Sequence, residues 1–468
     1  MSDYRIEKDS MGEFKVPSNA YYGAQTARAF ENFTISGVRF PRAFISALGA
    51  IKNACASVNL EEGDLEPRIA EAIKQVTEEV VAGTLDDQFV LDIYQTGSGT
   101  STNMNANEVI SNRAIELLGG VIGSKTPVHP NDHVNRGQSS NDVIPTAIHV
   151  AAAAELENLL GKLRGLHLAL QDKAKTWDDV VKIGRTHLMD ATPIRMGQEA
   201  SGWARQVELS IRRLEDVKPR LMELAIGGTA VGTGLNTRPG FGTRVAAKLE
   251  GRYGLPFREA TNHFEAQGSQ DGGVELANTL ATVATSLIKI ANDIRWLSSG
   301  PRCGLGEIKL PAVQPGSSIM PGKVNPVMCE ALIMTSVQVI GNATTVSIAN
   351  THGNLDLNVM LPVIARNLLE SLTFLAGAVD AFTRRAVLGM EANRERAASL
   401  IELSMSMVTS LAPVIGYDVA AKIAKRAVEE NRTVREICTT ENILPVEQLT
   451  ALLDPMSMTQ PGLGAGGE

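Results

Sequence analysis

Apolar residues recur at steps of three and four through the middle of the chain. Leu156, Leu159, Leu163, Leu166 and Leu170 form one such series; Leu276, Leu280, Val283, Leu287, Ile290, Ile294 and Leu297 form a second. Leu368, Leu372, Leu375, Val379 and Phe382 make a third, and Val207, Ile211, Leu214, Val217, Leu221 and Leu224 follow nearly the same rule. This spacing gathers one apolar stripe on one face of a helix. Alternating three- and four-residue steps also match a heptad seam, which favours helices packed nearly parallel or antiparallel. The Leu276–Leu297 run spans roughly 30 Å at the helical rise. Helices so long and narrow bury little of themselves in one copy, so the pattern predicts a bundle completed by further copies.

Outside these stripes the pattern shortens. Residues 1–138 mix brief helical stretches with polar loops, and from 396 onward short helices are broken at Pro413, Gly416 and Pro445. The division predicts an N-terminal domain over 1–138, a central long-helix domain over 139–395 and a small helical C-terminal domain over 396–468. The Gly-rich tail Gln460–Glu468 reads as disordered. Few runs alternate with period two, so the chain reads as mainly α.

Composition narrows the function classes. A length of 468 residues exceeds one ordinary core. Aromatics at 4% leave the core to aliphatic side chains, which suits helix on helix. The net charge is −8 and no long Lys/Arg run appears, which argues against a nucleic-acid partner. An anionic substrate must therefore be drawn by a local site against the global field. No run of eighteen apolar residues occurs, so no membrane span is expected. Met1–Val16 lacks the apolar core of a signal peptide, which makes the cytoplasm the expected compartment. Cys55, Cys303, Cys329 and Cys438 are scattered without CxxC or zinc spacing and read as reduced thiols.

Four polar segments interrupt the helical pattern. They are Thr96–Asn103, His129–Asp132 leading to Gln138–Asp142, Gly184–His187, and Gly316–Pro326 (GSSIMPGKVNP). Each is rich in hydroxyl, amide and glycine groups, and two run straight into a helical stretch. That layout aims backbone N–H groups and small donors at an anion, aided by the helix dipole. Ordinary capping explains any one of them, since Ser, Thr and Asn are favoured caps; four runs of this length exceed what caps need. Gly232–Gly242 fits neither dinucleotide nor P-loop spacing. No GxSxG elbow is present, and Pro130 with no adjacent Glu removes a helical zinc motif at His129 and His133.

The Gly316–Pro326 segment resembles the signature of the fumarase/aspartase superfamily, and the other three segments match that family in order and spacing. The resemblance covers essentially the whole chain, including a C-terminal part similar to that of class II fumarases. It implies a three-domain, mostly helical fold whose long helices from four subunits form one bundle. It also implies active sites shared between subunits. His187 and Gly322 resemble the fumarase form, where aspartases typically carry Gln and Ala. The implied reaction is reversible hydration of fumarate to L-malate, with a dicarboxylate substrate, a homotetramer, no cofactor and no metal. An ammonia-lyase acting on aspartate is the nearest alternative; a non-catalytic crystallin-like protein is more distant.

The resemblance further implies residue roles. Ser317 is the base, held ionised by Lys323 or by backbone N–H groups of its own loop. His187 is the acid for the departing hydroxyl, through a water, and Glu330 orients it. Lys323 and Asn325 take the carboxylate that gathers charge. Ser98, Gly99, Thr100, Ser139, Ser140, Asn141, Thr186, Ser318 and Val324 line the rest of the substrate site. His129, Pro130, Asn131 and Asp132 resemble a second anion site outside the catalytic pocket, although Lys125 and Thr126 stand where some members carry Arg.

Overall fold

The computed structural model describes residues 4–462; the end of the Gly-rich tail, residues 463–468, lies outside them. Helices dominate. In chain order they are α1 (Ala24–Asn32), α2 (Arg42–Glu61), α3 (Pro67–Ala82), α4 (Thr100–Leu117), α5 (Ser140–Thr176), α6 (Met196–Val217), α7 (Phe241–Tyr253), α8 (His263–Gly268), α9 (Asp271–Leu297), α10 (Val327–Asn350) and α11 (Leu361–Phe382). Five short helices follow: α12 (Arg394–Ile401), α13 (Ala412–Ile415), α14 (Tyr417–Glu429), α15 (Val434–Thr440) and α16 (Val446–Leu452).

All four apolar series are buried. At about 2 kcal/mol per fully buried Leu or Ile, such stripes supply the main driving force for these helices. One series is not a single helix. α6 ends at Val217, a 3-10 turn covers Lys218–Met222, and Glu223–Leu224 forms a short strand. Pro219 is the cause, because it has no N–H to continue the ladder. Leu221 and Leu224 stay fully buried all the same.

Two antiparallel hairpins were not expected from the pattern. β1 (Tyr4–Asp9) pairs with β2 (Gly12–Pro17), and β3 (Val181–Thr186) with β4 (Met189–Arg195). Arg5 fastens the first by donating to Glu7 and to the carbonyls of Pro17, Ala20 and Tyr22.

Two compact units divide the chain. One comprises the residues up to Gly161 together with 212–284 and 335–376; the other holds 162–211, 285–334 and everything from Gly377 onward. The first unit carries two of the polar segments, Thr96–Asn103 and His129–Asp142. The second carries Gly184–His187 and Gly316–Pro326. In the second unit Ile183 of β3 packs into the apolar cluster of the C-terminal helices, with Met407, Leu411 and Ile437.

The expectation of no membrane-length segment needs correction. By length and mean hydropathy α2, α5, α9 and α10 could each cross a membrane. Counting unbroken apolar runs overlooks them, because isolated polar residues interrupt helices that are apolar on average. For α2 and α5 the most apolar window is 72% buried within the fold; for α10 it is only 33%. Met334, Val337 and Ile348 of α10 therefore face outward in a single copy. All four cysteines are free thiols, and only Cys303 is exposed.

Candidate active site

In the first unit, glycines shape the entry to α4. A Cβ on Gly97 would lie 1.9 Å from the carbonyl oxygen of Val359, so only glycine fits there. Gly99 adopts φ 71 as the residue before α4, a left-handed conformation that suits glycine. It offers no side chain to cap the first turn. Gln95 Oε1 instead takes the Thr102 N–H and hydroxyl, both at 3.0 Å. Ser98 Oγ and Thr100 Oγ1 lie 2.7 Å apart at the helix start.

The Ser139–Asn141 segment starts α5 beside this one. Asp142 is its anchor. Its Oδ1 accepts from Ser139 N at 2.9 Å, and its Oδ2 accepts from Thr229 N at 2.9 Å and Gly227 N at 3.2 Å. Asn141 Nδ2 donates to the Ala230 carbonyl at 2.7 Å. Asn103 Nδ2 donates to Ser140 Oγ at 3.3 Å, which ties the first polar segment to the second. A cleft of about 590 Å³ opens here, lined in part by Asn131, Asn135, Ser139, Thr229 and Asn236.

Two residues that support this region escaped the sequence reading as site components. Burial pushes the Asp142 carboxyl up to about 6. Burial also lowers the Lys52 amine to about 7, although Asp142 and Cys55 both pull it upward. Lys52 was a legible oddity, a lone cation in the small-residue and aliphatic run Ala47–Val58. Its titration has a sign that can be measured. Between the folded value near 7 and the 10.5 of an ordinary lysine, only the unfolded chain binds the proton. Stability therefore rises with pH across that window, by at most about 1.4 kcal/mol per pH unit, and is lowest at and below its start. Lys52→Met is expected to lose this slope. Thermal or urea unfolding of both proteins from about pH 7 to 10 reads it, and parallel curves would exclude the buried-lysine shift.

His129 acts first on its own turn. Its Nδ1 accepts from the backbone N–H groups of Asn131 at 3.2 Å and Asp132 at 3.1 Å, while the His129 backbone N–H donates to His133 Nδ1 at 2.8 Å. Pro130 is buried in the same turn. These groups satisfy one another, as capping requires.

In the second unit, Thr186 pairs with Met189, so His187 and Leu188 are the two central residues of a tight hairpin turn. Both have positive φ, 58 and 62. A two-residue turn of this hand requires φ above zero at both positions and normally uses Asn-Gly. Holding His and Leu there costs about 1–3 kcal/mol each, a strain typical of functional positions. The surroundings over-determine the turn. Arg185 Nη1 donates to Glu307 at 2.9 Å; Lys182, fully buried, lies 3.4 Å from the same carboxylate and 3.2 Å from Glu199. Ser406 Oγ donates to the Asp190 carbonyl at 3.1 Å. Thr186 and His187 are thus exposed at the tip of a braced hairpin.

The Gly316–Pro326 segment is a loop leading into α10. Its base is closed by Gly316 N donating to the Lys323 carbonyl at 2.8 Å and Asn325 Nδ2 donating to the Gly316 carbonyl at 2.6 Å. Ser317 Oγ accepts two backbone N–H groups, from Met320 at 3.0 Å and Ile319 at 3.3 Å. Of the two expected donor sources for Ser317, the backbone is the one in contact. Among the described residues no hydrogen bond runs from Lys323 to Ser317. Ser318, Lys323 and Val324 are exposed, and Glu330 sits in the first turn of α10. Nor does a hydrogen bond join His187 to Glu330 among the described residues, although both belong to this unit. No three His, Cys, Asp or Glu side chains cluster as metal ligands would among the described residues.

Comparison with known proteins gives a consistent result. Residues 12–341 match the lyase family and residues 407–460 match the fumarase C C-terminus. The chain is 54% identical over 461 residues to the mitochondrial fumarate hydratase of Danio rerio, covering 98% of this chain and 90% of that one. It is 53% identical over 448 residues to the class II fumarate hydratase of Thermosynechococcus vestitus, covering 96% of each. The class II fumarase of Schistosoma mansoni matches in structure with a TM-score of 0.93 at 41% identity, over 97% of this chain and 99% of that one.

Proposed function

This chain belongs to the fumarase group of the lyase family, and from that premise we propose how its residues divide the work of a hydro-lyase. The reaction is the reversible addition of water to fumarate, giving L-malate, a step of the tricarboxylic acid cycle. Its difficulty in the dehydration direction is a proton on a carbon next to a carboxylate. Removing it leaves a carbanion whose charge spreads onto that carboxylate as an aci-form dianion. Catalysis needs a base, an acid and preorganised donors around the growing charge.

Ser317 takes the proton. The observation that carries this role is the pair of backbone N–H groups on its Oγ. A serine hydroxyl is a poor base unless its ionised form is stabilised, and two fixed donors favour that form. Lys323 and the second N–H of the Asn325 amide hold the carboxylate that accumulates charge; one such donor is worth about 3–4 kcal/mol. As the double bond forms, the hydroxyl leaves with a proton from His187, delivered through a water. Glu330 orients the histidine. Ser98, Thr100, Ser139, Ser140, Asn141 and Thr186 bind the dicarboxylate and its hydroxyl.

Among the described residues no hydrogen bond joins His187 to Glu330, and Met334, Val337 and Ile348 of α10 are exposed. Both observations support a homotetramer whose copies complete one another's sites. A cytoplasmic placement is kept as the proposal, with both mitochondrial and bacterial relatives at similar identity.

The test is ultraviolet absorbance of fumarate formed by the purified chain from L-malate, with EDTA present and L-aspartate in a parallel cuvette. Fumarate is expected from malate alone. Fumarate from aspartate alone would transfer the chain to the ammonia-lyases, and loss of activity in EDTA would contradict a metal-free mechanism.

A further inference from the structure

We infer that Lys52 is a positioning residue for substrate binding: from the buried face of α2 it sets, through Asn135 and Asn103, the direction in which the Ser140 hydroxyl donates. The inference rests on the reading of Ser140 as a substrate-carboxylate donor. Lys52 is 0% exposed and forms no ion pair among the described residues. Its amine donates to Asn135 Oδ1 at 2.9 Å and to Gln138 Oε1 at 2.8 Å.

Those two bonds decide which way the amides point. The amine donates to both, so each neighbour turns its amide oxygen toward it. Asn135 then directs its Nδ2 to the Gln138 carbonyl at 3.1 Å, and Gln138 Nε2 reaches the carbonyls of Val134 and Arg136, each at 3.1 Å. With its oxygen fixed, Asn135 Oδ1 also accepts from Asn103 Nδ2 at 3.2 Å. The same Asn103 nitrogen supplies the hydrogen bond to Ser140 Oγ. Ser140 therefore accepts from behind, and its own proton is left for an incoming carboxylate.

Asn103 does not hold this orientation by itself. Its Oδ1 is buried without a hydrogen-bond partner. An unsatisfied buried oxygen favours any rearrangement that gives it a donor. Once Asn135 is released, a flipped Asn103 would turn Oδ1 toward Ser140. The serine proton would then point inward, where the substrate cannot use it. Lys52 prevents the flip from two residues away.

The experiment is a double-mutant cycle on the full-length oligomer, reading KM and kcat for L-malate and fumarate. Ser140→Ala is expected to raise KM about tenfold or more, the loss of a hydrogen bond to a charged group. Lys52→Met should raise KM by a similar factor, roughly tenfold, with kcat within about threefold of wild type. In the double variant KM should match Ser140→Ala alone, because the relay acts only through that hydroxyl. Multiplying effects, or a Lys52→Met variant changed in melting temperature but not in KM, would overturn the inference. A normal KM for Ser140→Ala would instead overturn the role of Ser140, and the relay with it. Should Lys52→Met not fold, Asn103→Ala breaks the relay one link nearer the site and enters the same cycle with the same expectations.

Discussion

Ser317→Ala is expected to lower kcat about a thousandfold, within the range of about 10²–10⁴ for a general base. The change removes one oxygen from a half-buried loop position, so stability should barely move. What is lost is the atom that the N–H groups of Ile319 and Met320 converge on. Those donors remain and would be free to bind a water, which could act as a weak substitute base. KM should stay within a few-fold, because the substrate's carboxylates are held by other groups. Both directions must fall together in kcat/KM, since a catalyst cannot move the equilibrium between fumarate and L-malate. Steady-state absorbance assays in the two directions supply the measurement. A kcat within tenfold of wild type would place the base elsewhere.

His187→Asn is the second large effect, an expected fall in kcat of about a hundredfold or more. The choice of Asn separates chemistry from strain. His187 has φ 58 in a turn that favours Asn, so the hairpin should keep its shape or gain stability. A melting temperature equal to or above wild type, combined with lost turnover, assigns the loss to the missing acid. A fall in both would point to the hairpin as a structural element braced by Arg185 and Glu307. Full activity in a folded variant would remove His187 from the mechanism.

The four buried stripes were legible because helical periodicity is local: a side chain three or four positions away shares the same face whatever lies opposite. Burial of Leu221 and Leu224 was legible too, but not their element, since Pro219 breaks the helix while both leucines still reach apolar surroundings. The hairpins were hidden for a different reason. β3 carries a register shift near Gly184, which disrupts the two-residue alternation that marks a strand. Its turn, His187-Leu188, lacks the Asn-Gly signal that marks a two-residue hairpin, and its brace, Glu307, is far away in sequence.

The sequence by itself determined which residue types gather in the polar segments, that the chain is mainly helical, and the family resemblance carried by Gly316–Pro326. Only the tertiary structure decided how those residues are aimed. His187 is lifted to the tip of a strained turn, Ser317 is met by backbone rather than by Lys323, and Lys52 reaches Ser140 through two asparagines. Hydroxyl and amide groups can donate or accept in several directions, and a string of letters does not choose among them. The choice is made when burial removes water and each donor must take the partner that packing leaves beside it.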